Sequence, residues 1–291
     1  MKKEMRKAKR FAALALASAL IFSSTIPFSA QGVQATLNSN AAVTTNAMTG
    51  QELAVLVNPI VQQYTVDDSQ QTWVMTEDSR LAVMATQENL ENERLAEVVE
   101  LVNSEFMEKQ VVSANPFAMV YANAEDVGPA DVFIKLDKEN PICEDSDSEE
   151  AYRIDIGADG VTVTAASENA VMYALRTIQN YMVANKGLPY GTIIDYPDVA
   201  ERRLHVDCAR KYISKDWFIR EIREMSFLKM NTIQMHFSEN LGFRIECETD
   251  PSIVSDQYLT KAEVREILEE ARKYGIKVIP PLIAPAMWIR F

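Results

Sequence analysis

The sequence predicts an α/β protein in two parts: a small α+β domain, then a run of alternating strands and helices. Three observations carry this. Leu95, Val98, Val99, Val102 and Phe106 recur at helical spacing, with Glu and Asn opposite. Residues 152–156 and 161–165 read as paired strands around Ala158-Asp159-Gly160, the turn chemistry of a β-hairpin. From Arg202 the rhythm becomes strand, helix, strand, helix, strand, with apolar strands that suit a parallel sheet covered by helices.

The first residues stand apart from the fold. Lys2, Lys3, Arg6, Lys7, Lys9 and Arg10 form a basic head, and the apolar run from Phe11 to Phe22 follows. A membrane span needs roughly 20 apolar residues. The shorter run fits a secretory signal, with Val33 and Ala35 as the small residues before a cleavage after Ala35. The expectation is a secreted, extracellular protein with no stable membrane span. Without its leader the chain holds 23 basic and 41 acidic groups, a net charge of −18 against −13 for the whole. Nucleic acid is thereby disfavoured as a partner, since phosphate binding needs positive charge.

Residues 36–64 read as a flexible lead-in, poor in periodicity, with a short helix over 52–64. The α+β domain is expected over 65–198. It opens with short strands at 72–75 and 80–84, then a helix over 90–108 and a strand over 131–136. After the hairpin, Ser167 is a good N-cap for a helix whose buried stripe is Val171, Ala174, Leu175, Ile178 and Met182, with Gly187 ending it. In the second part, strands fall at 204–208, 232–237 and 276–279. Ser214 caps a helix running to 228, with Phe218, Ile219, Ile222 and Met225 inward, and Trp217 is read as packing. Thr260 with Glu263 is a capping box, and Gly275 closes that helix. A (β/α)₈ barrel or a doubly wound sheet fits this rhythm. No glycine-rich phosphate loop follows a strand, which weakens the nucleotide-binding version. Cys143, Cys208 and Cys247 allow one bridge at most, and with only two histidines and no C-x-x-C or H-E-x-x-H, no metal site or cofactor is implied.

Several motifs in one frame carry a resemblance. The run from Arg202 to Tyr212 follows the pattern Arg, a few residues, Leu-Asp-Val, small residue, Arg, aromatic. Leu228-Lys229-Met230-Asn231, then Gln234 to Asn240, then Gly242-Phe243-Arg244-Ile245 and Lys277-Val278-Ile279-Pro280 continue it, and residues 152–183 match in the preceding domain. Over residues 68–280 the sequence resembles glycoside hydrolase family 20, the β-N-acetylhexosaminidases. Its wording is nearer to the lacto-N-biosidase-like and related bacterial members than to the mammalian lysosomal enzymes. The resemblance implies an α+β accessory domain followed by a TIM barrel of which residues 199–291 are the first third.

It also implies an exo-glycosidase that removes terminal N-acetylhexosamine from a glycan or glycoconjugate by substrate-assisted, retaining catalysis. The substrate's 2-acetamido oxygen attacks the anomeric carbon, an Asp orients it, and an adjacent Glu protonates the leaving oxygen. Arg202 corresponds to the arginine that holds sugar hydroxyls, with Arg203 as a near rival; the bland reading of either is a surface ion pair. Glu239 stands where the family has an Asp beside the acetamido pocket. His236 and Asp207 are expected to be hydrogen-bonded structural residues.

After Pro280 the pattern breaks. The family motif continues through Asp, a small residue and Pro-Gly-His; here Leu282-Ile283-Ala284-Pro285 stand instead, and the codons of this tail permit that motif in a shifted frame. The expectation is a truncated barrel with an aberrant tail from 281, no catalytic residue within the chain, and no activity; the alternative reading is a secreted module that binds glycan without cleaving it. An open third of a barrel, with unpaired strand edges, is expected to fold poorly alone.

Overall fold

The computed structural model describes residues 48–108 and 117–280. Residues 1–47 and the tail from 281 lie outside the described residues, and with them the expected leader and the expected aberrant tail.

The chain starts on its core earlier than expected. Helix α1 (Gly50–Ala54) opens on a capping box, in which Thr49 Oγ accepts from the Glu52 amide and Glu52 returns to the Thr49 amide. Leu53, Val57, Val61 and Tyr64 are all buried. Residues 50–64 are therefore part of the domain core rather than a flexible lead-in, because these four apolar side chains recur closely enough to share one buried face. The helix expected over 52–64 is only these five residues, and strand β1 (Gln63–Val66) follows it.

The α+β domain is a seven-stranded mixed sheet with two helices on one face. After β2 (Thr72–Trp73) come β3 (Arg80–Met84), α2 (Gln87–Glu91), α3 (Glu93–Glu108), β4 (Ala118–Ala122) and β5 (Val132–Leu136). The hairpin β6 (Tyr152–Gly157) and β7 (Gly160–Ala165), helix α4 (Glu168–Asn185), β8 (Leu188–Pro189) and β9 (Gly191–Asp195) complete it. The sheet order is β1-β9-β6-β7-β5-β3-β4, antiparallel as far as β7 and parallel beyond. Strands β1, β4 and β9 are not in the sequence expectation. Their burial patterns alternate weakly, and sheet neighbours rather than local pattern make them strands.

The single helix expected over 90–108 is two. Asn92 interrupts it, and its side-chain oxygen accepts from the Leu95 amide, capping α3. The apolar stripe of α3 is fully buried. Ser167 caps α4 through the Ala170 amide, but the left-handed residue that ends this helix is Lys186 (φ 60°), not Gly187. Helix α4 is also buried well beyond its expected stripe: Arg176, Thr177, Gln179 and Tyr181 are inside too. One side faces the sheet, and the other faces the second part of the chain.

That second part is β10 (Arg203–Asp207), α5 (Lys215–Phe227), β11 (Thr232–His236), a small hairpin of β12 (Ser238–Glu239) and β13 (Gly242–Phe243), α6 (Lys261–Lys273) and β14 (Lys277–Ile279). The three long strands pair in parallel in the order β10-β11-β14. Ser214 caps α5, and Thr260 with Glu263 forms the expected capping box on α6. Ile219 is only partly buried. Leu204, Val206, Ile233, Met235 and Val278 join the helices in one core. Strand alternation then turns Arg203, His205, Asp207, Gln234 and His236 to the other face, so that face is polar. Among the described residues β10 and β14 have neighbours on one side only. The helix-covered side is buried twice, once by α5 and α6 and again by their docking on α3 and α4.

The docking is polar at its centre. Arg176 pairs with Glu105, which also accepts from Tyr274 Oη at 2.5 Å, so α3, α4 and the end of α6 meet at one carboxylate. Arg272 of α6 pairs with Glu97 of α3 at 2.6 Å. Gly275, at φ 66°, ends α6 in a left-handed turn, and any Cβ there would lie 2.6 Å from Asn169 Oδ1 of α4. At the other end, α5 stops in the same kind of turn, with Met230 N–H to Met225 O and Lys229 N–H to Ser226 O. Here the left-handed residue is Lys229 (φ 54°) rather than glycine. Its side chain accounts for the choice. The buried Lys229 Nζ donates to Tyr152 Oη and Asp195 Oδ2, both at 2.7 Å, while Tyr152 donates to Asp195 at 2.6 Å and accepts from Thr177 at 2.5 Å. Burial pulls the Lys229 ammonium below the usual lysine range, opposed by Asp195.

Two predictions test this junction. Lys229→Gly relieves a left-handed lysine worth about 1 kcal/mol but leaves Asp195 buried without its cation, a loss of about 3 kcal/mol. Chemical denaturation should therefore show a net destabilisation despite the better turn residue. The Arg272 hydrogen bond holds the Glu97 carboxyl down at about 2, against an ordinary value of 4.5. Its contribution is fully present above pH 4.5 and is lost as pH falls through about 2. Glu97→Gln should lower the unfolding midpoint slightly at pH 6, and the gap between the two midpoints should narrow steadily from pH 4.5 downward and close only below pH 2; a constant gap would rule out this linkage.

Candidate functional site

In a parallel sheet covered by helices, ligands meet the carboxyl ends of the strands. Asp207 ends β10 and His236 ends β11, and the two are register partners. The main chain then turns sharply. Ala209 N–H donates to His236 O at 2.9 Å, and the Cys208 thiol lies 3.1 Å from the same oxygen. Burial pushes that thiol up to about 12, so it stays protonated and can donate.

This turn presents Arg210. Its amide donates to Asp207 Oδ1 at 3.1 Å, and its Nε lies 3.0 Å from Asp207 Oδ2 and 3.2 Å from Glu239 Oε2. Two carboxylates thus hold the inner edge of the guanidinium. The side chain is 67% exposed, and its two terminal nitrogens have no hydrogen-bond partner among the described residues. A rigid fork of donors, pinned at its base and open at its tip, suits adjacent hydroxyls.

Glu239 is placed by the β12–β13 hairpin. Ser238 pairs with Phe243 and Glu239 with Gly242. A Cβ at Gly242 would sit 2.8 Å from Ala209 O, so only glycine lets the hairpin lie on the Arg210 turn. Arg244 ties the same loop down through Ala209 O and Gln257 O. The Glu239 side chain is only 10% exposed, and its Oε1 is buried with no partner among the described residues. A carboxylate oxygen left this way is a place for a ligand or chain donor to bind.

Arg202 is elsewhere. It precedes β10 at the amino end of the sheet, opposite Arg210. Its Nε donates to Lys229 O at 2.7 Å, one terminal nitrogen donates to Val199 O at 2.8 Å, and the other pairs with Glu150. Its amide meets Asn231 Oδ1 at 3.0 Å, and Asn231 in turn donates to Glu150. The expectation that Arg202 grips sugar is corrected: its donors are taken by the domain junction, and it lies at the wrong end of the strand. Arg203, its rival, is paired with Glu201 and Gln234. The sequence held the signal for Arg210, as the second arginine of the motif lies just past the strand. The Cys143, Cys208 and Cys247 thiols are all free.

Residues 54–196 match the family model described as glycosyl hydrolase family 20, domain 2, and residues 201–288 match that described as glycosyl hydrolase family 20, catalytic domain. The chain belongs to glycoside hydrolase family 20. The catalytic-domain match runs past residue 281, where the expected motif breaks. N,N′-diacetylchitobiase of Vibrio harveyi is 25% identical over 233 residues, 65% of this chain and 25% of its own length. Lacto-N-biosidase of Bifidobacterium bifidum is 26% identical over 138 residues, 47% of this chain and 12% of its own length. The family 20 chain therefore spans a quarter or less of these two relatives, and their similar identities favour neither kind.

The β-N-acetylhexosaminidase of Streptomyces coelicolor superposes with a TM-score of 0.61 at 20% identity, covering 80% of this chain and 47% of that one. The exo-β-N-acetylglucosaminidase of Vibrio harveyi, solved with N-acetylglucosamine, gives 0.63 at 18% identity, covering 87% and 39%. These likenesses establish the fold: the β10-β11-β14 sheet is the start of a TIM barrel, not of a doubly wound sheet.

The two arginines separate experimentally. Arg210→Ala should weaken binding of an N-acetylhexosamine about tenfold or more, the scale of a lost charge-assisted hydrogen bond, with little change in unfolding midpoint. Arg202→Ala should leave the affinity of the Arg210 site unchanged and cost about 2–4 kcal/mol in stability, since Glu150 loses its cation. Calorimetric titration and denaturant melts of both variants decide the assignment.

Proposed function

We propose that this chain is the sugar-holding part of an exported glycosidase acting on terminal N-acetylhexosamine residues of glycans. The observation that carries the reading is the Arg210 fork, fastened by Asp207 and Glu239 at the carboxyl end of the barrel strands in a family 20 chain. Adjacent ring hydroxyls of a terminal sugar match its two open nitrogens. Glu239 Oε1, buried and unpartnered among the described residues, is a second acceptor in the same place.

In the reaction of this family the substrate's acetamido oxygen is the nucleophile, so the protein's tasks are to hold the sugar, orient the amide and deliver a proton. Residues 48–280 supply the holding. The acid and the amide-orienting carboxylate are not assigned to any of them. We therefore expect the 291-residue polypeptide to bind N-acetylhexosamines without hydrolysing them. Release of the chromophore from an aryl N-acetylglucosaminide by the purified chain, lost in Arg210→Ala, would overturn that expectation of inactivity. Absence of binding would overturn the sugar-holding role.

Export is the reading of the basic head and apolar run of residues 1–35. No helix among the described residues is long and apolar enough to cross a membrane. Expression with the leader intact, followed by mass spectrometry of the medium, should show a chain beginning at Thr36. An uncleaved amino terminus held in the membrane fraction would refute export by this route.

A further inference from the structure

A cavity of about 300 Å³ opens at the amino end of β10, between the α+β domain and the first barrel helix. It lies at the other end of the strand from Arg210, roughly 17 Å away for a five-residue strand. Tyr173, Tyr196, Lys229, Asp195, Arg202 and Glu150 line it. Ile60, Val199 and Leu228 also face it, and they are 62%, 60% and 40% exposed. Three large apolar side chains left in water around one opening are unusual, and together they offer an apolar surface to an occupant.

The charges restrict what that occupant is. Lys229 is paired with Asp195 and Arg202 with Glu150, so neither cation is free for an anion. Asp198, also at the cavity, accepts from Gln62 and has no cationic partner among the described residues. An anionic ligand would therefore meet repulsion. Hydrogen-bonding capacity nevertheless remains: Lys229 uses two of its three N–H groups, and Asp198 has a second oxygen. Tyr173 is buried beneath the Arg202 guanidinium, but the partly exposed Tyr196, Pro59 and Pro197, with a few polar groups between them, suit a ring with apolar C–H faces and hydroxyl edges. The volume is at the lower end for small-molecule sites, room for one or two such rings.

We infer that this cavity is a second, non-catalytic saccharide site that takes one or two uncharged pyranose units. It rests on the glycan-directed reading of the chain, but it uses different residues. None of the Arg210 cluster lines it, and its walls come from both domains. A sugar held here would bridge them.

Calorimetric titration of the full chain with N,N′-diacetylchitobiose tests it. Val199→Glu and Leu228→Glu change exposed rim positions and should melt as the parent does; each should remove one binding event. Arg210→Ala should leave that event in place. Wild-type binding at the rim that persists in Arg210→Ala but vanishes in both rim variants supports the cavity. If both rim variants bind as the parent does while Arg210→Ala abolishes all binding, the cavity proposal fails and the Arg210 site stands. Binding lost only in the rim variants, with none assignable to Arg210, supports the cavity and overturns the Arg210 reading. No binding by the parent overturns both.

Discussion

The structure depends on a buried ion pair between its two parts. Lys229 and Asp195 come from different domains, and burying both charges is tolerable only because they pair directly and further hydrogen bonds reach both carboxylate oxygens. Tyr152 and the Gln62 amide also donate to Asp195, and Thr177 donates in turn to Tyr152. The chain accepts a lysine in a left-handed turn to put that ammonium there, where α6 uses glycine for the same turn. Beside it, Arg202, Glu150 and Asn231 form a second linked set, and Arg176, Glu105 and Tyr274 a third. Apolar faces alone would allow α4 to slide against α5 and α6. Directional bonds at three points admit one register.

This arrangement explains why the start of the barrel is ordered on one side. Its apolar side chains are covered by α5 and α6, and those helices are themselves covered by α3 and α4. The opposite face of β10 and β11 carries Arg203, His205, Asp207, Gln234 and His236, so it meets its surroundings with polar groups.

Two arginines at opposite ends of one strand meet different surroundings. Arg202 and Arg210 are the same residue type, eight positions apart. At the amino end, carbonyls and Glu150 consume the guanidinium. At the carboxyl end, Asp207 and Glu239 hold only its inner edge, and the tip stays open. The difference is not in the side chain but in how many acceptors the fold brings near it. Glu239 reaches the site because Gly242 lets the β12–β13 hairpin lie against the Ala209 carbonyl.

The features legible in the sequence are those decided within a few residues: the Ser167, Ser214 and Thr260–Glu263 caps, the stripe of α3, the hairpin around Asp159, and the glycine that ends α6. Each is a local hydrogen bond or a local periodicity, so neighbours in sequence suffice to specify it. The resemblance to family 20 was legible for the same reason, as ordered words in one frame. Tertiary structure decided the rest. It made β1, β4 and β9 strands by giving them partners, buried α4 beyond its expected stripe, drew Leu53, Val57, Val61 and Tyr64 into the core, engaged the donors of Arg202 at the junction and left the tip of Arg210 open. Those outcomes depend on which groups meet across tens to more than a hundred residues of chain, as Arg202 meets Glu150 and Gln62 meets Asp195, and no local pattern encodes those meetings.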